Sequence, residues 1–222
     1  KLGIGQKTFQ LKTSHFGCRI LVADVHFATN LKQLLTKDET VTIGCHGNKH
    51  RCWSAWPEDK AGFANELSLS IEKLSAFAGK KFRPWFRAPA GYIAPWMIEV
   101  LSQHGITLDS SGSVTRISDR KVGVKFGFEN VRDMAWKKGI VERYWHSRFR
   151  IPVTGPALRI PLLKSLAKRQ WMKVSKDAKC VNENALLTPS YMVDSLYWHL
   201  LDHSTSDGHW FPPLHPTLGS AP

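Results

Sequence analysis

Between residues 41 and 109, short apolar runs alternate with stretches of helical periodicity, and this alternation narrows the fold more than any other feature of the chain. Residues 41–45, Val-Thr-Ile-Gly-Cys, have the apolar, β-branched character of a short buried strand, as do residues 19–22 before them, and residues 85–87 and 106–108 read as further strands. Residues 30–37 read as a helix between the first two of these strands. From residue 57 to 79, Phe63, Leu67, Ile71, Leu74 and Phe77 recur at steps of four and three, which predicts a long amphipathic helix with Glu66, Glu72 and Lys73 on the other face and a stop at Gly79. Pro95 suits the first turn of a further helix that ends at Gly105. Strands separated by helices of this length favour a parallel sheet or barrel, in which the loops after strand C-termini carry the chemistry. His46, Arg87 and Asp109 each fall at such a strand end. Beyond about residue 112 the periodicity weakens, and the basic, Trp-rich remainder has several readings.

A chain of 222 residues with 9 Trp and 11 Phe can bury a sizeable core, so a single globular α/β domain over residues 1–222 is expected. No run of about 18 apolar residues predicts a membrane span, and the first residues lack the charged-then-apolar pattern of a secretory signal. The formal charge of +13 favours an anionic partner, yet the 31 basic residues are scattered rather than striped, and nucleic acid is not expected. Cys18, Cys45, Cys52 and Cys180 show neither C-x-x-C pairs nor the spacing of a disulfide scaffold. Neighbouring residues of a strand point to opposite faces, so Cys45 is expected in the core rather than beside His46 as a ligand.

Two segments carry chemistry. Gly44-Cys45-His46-Gly47-Asn48-Lys49-His50 sets two imidazoles four residues apart just past a buried strand, where they can share a divalent ion. It is not the metalloprotease helix motif, because Gly47 stands where that motif needs a glutamate. Phe86-Arg87-Ala88-Pro89-Ala90-Gly91-Tyr92 puts a cation at a strand end, followed by a rigid Pro and a permissive Gly, a loop able to aim backbone N–H groups inward.

The order of these elements, with the Glu66-bearing helix between the two motifs, resembles the polysaccharide deacetylase family, also called the NodB homology domain or carbohydrate esterase family 4. Residues 8–11 and 15–22 resemble that family's first helix and second strand, and Leu108-Asp109-Ser110-Ser111 resembles a bacterial branch acting on exopolysaccharide. The likeness covers roughly residues 8–112. It implies a distorted (β/α) barrel of about seven strands, incomplete in this chain at its N-terminus. It further implies a divalent metal, Zn or similar, held by an Asp and two His, the latter being His46 and His50. The activity implied is hydrolytic removal of acetyl groups from N-acetylated sugars of a polysaccharide or oligosaccharide, in a bacterial envelope or its biosynthetic machinery. By the family pattern Arg87 orients a carboxylate base, Tyr92 offers a backbone N–H to the oxyanion, and a late Leu-His motif supplies a general acid. His215 in Leu214-His215-Pro216 is the preferred match for that acid and His199 the alternative.

The family's first motif, a Thr-Phe-Asp-Asp-Gly run giving a base and a metal ligand, has no counterpart in this chain. Its Asp pair would fall at about Lys1 and Leu2, beside Gly3, or just before residue 1, and Asp24 lies too close to His46 to replace it. Two readings stay open. In one the carboxylates precede Lys1 in a longer precursor. In the other the chain is a catalytically impaired glycan-binding homologue in which Trp85, Tyr92 and Trp96 stack on sugar rings. A third, an anion-binding basic module, rests on charge alone.

Overall fold

A computed structural model describes residues 9–10, 13–16, 25–112, 127–152, 157, 160–176, 179–180, 183–191, 193 and 195–196. Nine strands and six α-helices are formed among these residues. The strands are β1 (Phe9–Gln10), β2 (Thr13–Phe16), β3 (Thr42–Cys45), β4 (Phe82–Phe86), β5 (Leu108–Asp109), β6 (Val141–Glu142), β7 (Ser147–Arg148), β8 (Ile151–Pro152) and β9 (Lys179–Cys180). The helices are α1 (Val25–Lys37), α2 (Lys60–Ala78), α3 (Pro95–Gln103), α4 (Gly127–Lys137), α5 (Pro161–Lys176) and α6 (Glu183–Leu186).

The protein is mixed α/β and is built on a parallel sheet with strand order β2-β3-β4-β5-β6. Each strand lies beside the next one in the chain, and helices α1 to α4 occupy the connections, so all the strand C-termini lie along one edge. Parallel strands covered by helices are buried on both faces, which explains why Thr42–Cys45 is wholly buried and why Trp85 and Phe86, neighbours in β4, are both buried. The main core joins Ile43, Phe63, Leu67, Leu74, Phe86, Met97 and Leu101 with Val131 and Ile140.

Helix α2 begins where Asp59 accepts a hydrogen bond from the Gly62 N–H at 2.8 Å and ends at Gly79, whose φ of 52° suits a residue without a Cβ. Its buried face carries Phe63, Leu67 and Leu74, as the apolar spacing predicts, but also Glu66. The expectation that Glu66 faces away from the core is therefore corrected, and its burial is accounted for by two backbone N–H groups whose hydrogen bonds it accepts. Helix α3 starts at Pro95 as expected and closes before Gly105, at φ 70°.

Other boundaries move. Helix α1 starts at Val25, five residues before the predicted residue 30. The strand beside β3 is Thr13–Phe16, matched Thr13 to Thr42 and Phe16 to Cys45, whereas the predicted strand at 19–22 lies outside the described residues. Phe9–Gln10, within the segment likened to a helix, is a strand instead, because it pairs with Lys179–Cys180 from the far end of the chain. No helix among the described residues is long and apolar enough to cross a membrane.

Candidate functional site

The edge formed by the strand C-termini carries a run of polar side chains. His46 follows β3, Arg87 follows β4, Asp109 ends β5 and Glu142 ends β6. Cys45, by contrast, is fully buried, as strand alternation predicts.

The loop after β3 is held from below. Glu66 Oε1 accepts the backbone N–H of Asn48 at 3.1 Å and of Lys49 at 2.9 Å, while Asn48 Oδ1 accepts from Lys73 Nζ at 3.2 Å. A carboxylate receiving two amide donors satisfies itself and the turn together, which is why it tolerates burial. Gly47 has φ 79°, and a Cβ there would sit 3.3 Å from Glu66 Oε1, so the same contact explains the glycine. This clamp shapes the turn that brings the His46 and His50 ring centroids to 4.8 Å, with their planes at 74°. His50 itself lies at φ 56°, in the left-handed region that His visits more readily than most residues.

His46 Nδ1 lies 2.7 Å from the carbonyl oxygen of Arg87. A carbonyl only accepts, so Nδ1 donates, and the lone pair of the neutral ring falls on Nε2. A backbone carbonyl that fixes the tautomer of an imidazole is the usual support for a metal-ligating histidine. His46 is half-buried and His50 exposed. Two imidazoles suit zinc and its neighbours, but they bring no negative charge to offset the cation. Among the described residues no group of three or more His, Cys, Asp or Glu comes together to hold a metal ion.

The loop after β4 is wired to the loop after β5. Arg87 donates from Nε to Ser110 O and from a terminal nitrogen to Ser110 Oγ, both at 3.0 Å, and its guanidinium lies 5.6 Å from the Trp145 ring. Ser111 Oγ accepts the Ala88 N–H at 2.7 Å and donates to Asp109 Oδ1 at 2.6 Å. The Trp145 indole donates to Ser110 O at 2.7 Å. Gly91, at φ 75°, lets the turn Pro89–Gly91 pass over the Trp145 ring, which a Cβ would strike.

Asp109 and Glu142 are paired neighbours in β5 and β6, and both are buried. Burial pushes the Asp109 carboxyl up to about 6 against the lowering effect of its Ser111 hydrogen bonds and of Arg87. Glu142 is raised well above the ordinary carboxyl range by burial first and by the charge of Asp109 second. Apart from Asp109, neither Glu142 oxygen has a hydrogen-bond partner among the described residues. One proton shared by the pair therefore resides on Glu142, and the negative charge stays on Asp109, where the donors are. Arg143, next in the chain, spends its guanidinium on the carbonyls of Ala185, Leu186, Thr188 and Tyr191 at 2.7–3.0 Å, anchoring that segment to the strand end.

The sequence therefore locates His46, His50, Arg87 and Asp109 on one edge, with Tyr92 at the close of the neighbouring turn. His215, His199, Lys1 and Leu2 lie outside the described residues. Stacking of sugars on Trp85 or Tyr92 is corrected: Trp85 is 2% and Tyr92 8% exposed, and Trp96 packs its ring on Phe63. The Tyr92 hydroxyl donates to Ser54 O at 3.1 Å instead. Sequence reasoning missed Glu142, Arg143 and Trp145; the signal available was a charged pair directly after the apolar Ile140-Val141. Comparison of the chain with known protein families and with curated proteins finds no match.

Proposed function

We propose that the protein is a metal-dependent hydrolase that removes acetyl groups from N-acetylated sugars of a glycan, and that its parallel sheet is an arc of a distorted (β/α) barrel. The observation that carries this reading is the bond from His46 Nδ1 to the Arg87 carbonyl, which joins the two sequence motifs at the strand-end edge and leaves Nε2 as the ligating nitrogen. His46 and His50 would hold the ion, and the carboxylate that the family's first motif gives as third ligand has no counterpart in this chain. A divalent ion held there would lower the pKa of a bound water toward neutrality and polarise an amide carbonyl.

The chain's own groups do the remaining work. Arg87, bonded to Ser110, would orient the carboxylate base that the family's first motif supplies and that has no counterpart in this chain. The Tyr92 N–H donates to the oxyanion, and His215 protonates the leaving amine. The second reading, a glycan-binding homologue without catalysis, is favoured by the missing Asp pair, which would fall at about Lys1 and Leu2 or just before residue 1.

The decisive assay is acetate release from N-acetylglucosamine oligomers with added Zn, on the chain and on its Lys1→Asp, Leu2→Asp variant. Release that a chelator and His46→Ala each abolish supports the hydrolase. No release from either protein, with saturable oligomer binding retained, leaves the binding homologue instead.

A further inference from the structure

Directly after His50, an arginine is set among tryptophans with no side-chain hydrogen bond among the described residues. The Arg51 guanidinium lies 4.1 Å from the Trp53 ring centroid and 5.1 Å from that of Trp56. Arg51 is exposed, and among the described residues it makes no salt bridge and no side-chain hydrogen bond. Three described carboxylates that follow Arg51 in the chain have other partners. Glu58 pairs with Lys60 at 3.3 Å, Asp59 caps α2, and Glu66 holds the Asn48 and Lys49 amides.

The setting is rigid. Trp53 is 5% exposed and packs on Phe63 at 5.8 Å. Gly62 makes room for it, since a Cβ there would come within 2.9 Å of the indole. The turn Trp53–Ala55 is also tied to the second motif through the bond from Tyr92 to Ser54. Within that turn Trp53 Nε1 and Ser54 Oγ are buried with no partner among the described residues. Trp56, in contrast, is 56% exposed and offers an open indole face beside the cation.

A guanidinium set against aromatic rings keeps its fork of donors, which matches a carboxylate in bidentate fashion. An exposed indole next to it suits the C–H face of a pyranose ring. We propose that Arg51 and Trp56, which directly follow the His46–His50 loop in the chain, form an acidic-sugar subsite, so that the glycan acted on carries carboxylate-bearing residues, such as uronates, next to its N-acetylated units. The excess of 31 basic over 18 acidic residues agrees with an anionic polymer. This inference rests on the hydrolase or glycan-binding reading of the His46–His50 site.

The test is calorimetric titration of the full chain with two hexasaccharides, one alternating N-acetylglucosamine with glucuronate and one of N-acetylglucosamine alone. The uronate oligomer is expected to bind about ten-fold more tightly, as one bidentate charged pair allows. Arg51→Ala brings the two affinities to within about two-fold of each other, Arg51→Lys recovers only part of the preference, and Trp56→Ala weakens the uronate oligomer. Both side chains are replaced at the surface, and unchanged Tm values establish that the variants fold. Equal affinity of the native chain for both oligomers, or a preference that survives Arg51→Ala, overturns the subsite and leaves the glycan reading intact. Absence of binding to either oligomer overturns both. Arg51-dependent binding of a single-stranded oligonucleotide with no oligosaccharide binding assigns the rim to nucleic acid and overturns the proposal.

Discussion

The strand-end edge has two halves that solve opposite problems. At β3 and β4, His46 and Arg87 stand at a partly open surface, where His46 donates to a backbone carbonyl and Arg87 to a carbonyl and a hydroxyl. At β5 and β6, Asp109 and Glu142 are closed off from solvent, and their environment suppresses one of the two charges. Ser110 and Ser111 bridge the halves, receiving Arg87 and Ala88 from one side and binding Asp109 on the other. The open half thus presents imidazole and guanidinium nitrogens at the strand-end edge, while the closed half sets where the open half's loops lie.

If that division is right, removing a support costs stability, whereas removing an open-edge group costs function. The largest stability effect is expected for Glu66→Ala, which leaves the Asn48 and Lys49 amides without their acceptor and should lower unfolding free energy by about 3 kcal/mol. Denaturant unfolding measures it, and a loss under about 1 kcal/mol would show that the clamp is not a support. Next comes Gly91→Ala, where a positive φ and the Trp145 ring both oppose a Cβ, with an expected loss of about 2 kcal/mol.

The buried carboxyl pair should show itself in pH dependence. Raised native pKa values mean that the folded chain binds more protons than the unfolded one above about pH 4, so stability falls as pH rises. The contribution is full below the ordinary carboxyl range and is lost as pH climbs through about 6 for Asp109, continuing above that for Glu142. In Glu142→Gln the amide keeps a donor toward Asp109 at every pH. Its Tm should therefore decline less than the native chain's between pH 5 and 8, and parallel declines would refute the shared proton. The smallest effect is expected for Tyr92→Phe, which removes one hydrogen bond to Ser54 and should cost about 1 kcal/mol.

Much of the strand-end edge was legible in the sequence, because a short apolar run that stops at a polar residue is a local signal: it located His46 after β3, Arg87 after β4 and Asp109 at the end of β5. The supports were harder to read, since their partners are remote in the chain. Glu66 sits within the 63–67 stripe of α2, but a carboxylate is normally assigned to solvent, and only the two amides 17 and 18 residues away reverse that preference. Arg143 finds its acceptors 42 to 48 residues later. Trp85 reads as a sugar platform beside Arg87 until the second, helix-covered face of the parallel sheet buries it.

The central claim is that His46 and His50 together ligate a divalent ion through a tautomer fixed by Arg87. A competition titration of Zn against a chromophoric chelator, comparing the native chain with His46→Ala and His50→Ala, tests it most directly. One ion per native chain is predicted, with at least a roughly ten-fold weakening in each variant. Zn affinity unchanged by both substitutions would contradict it.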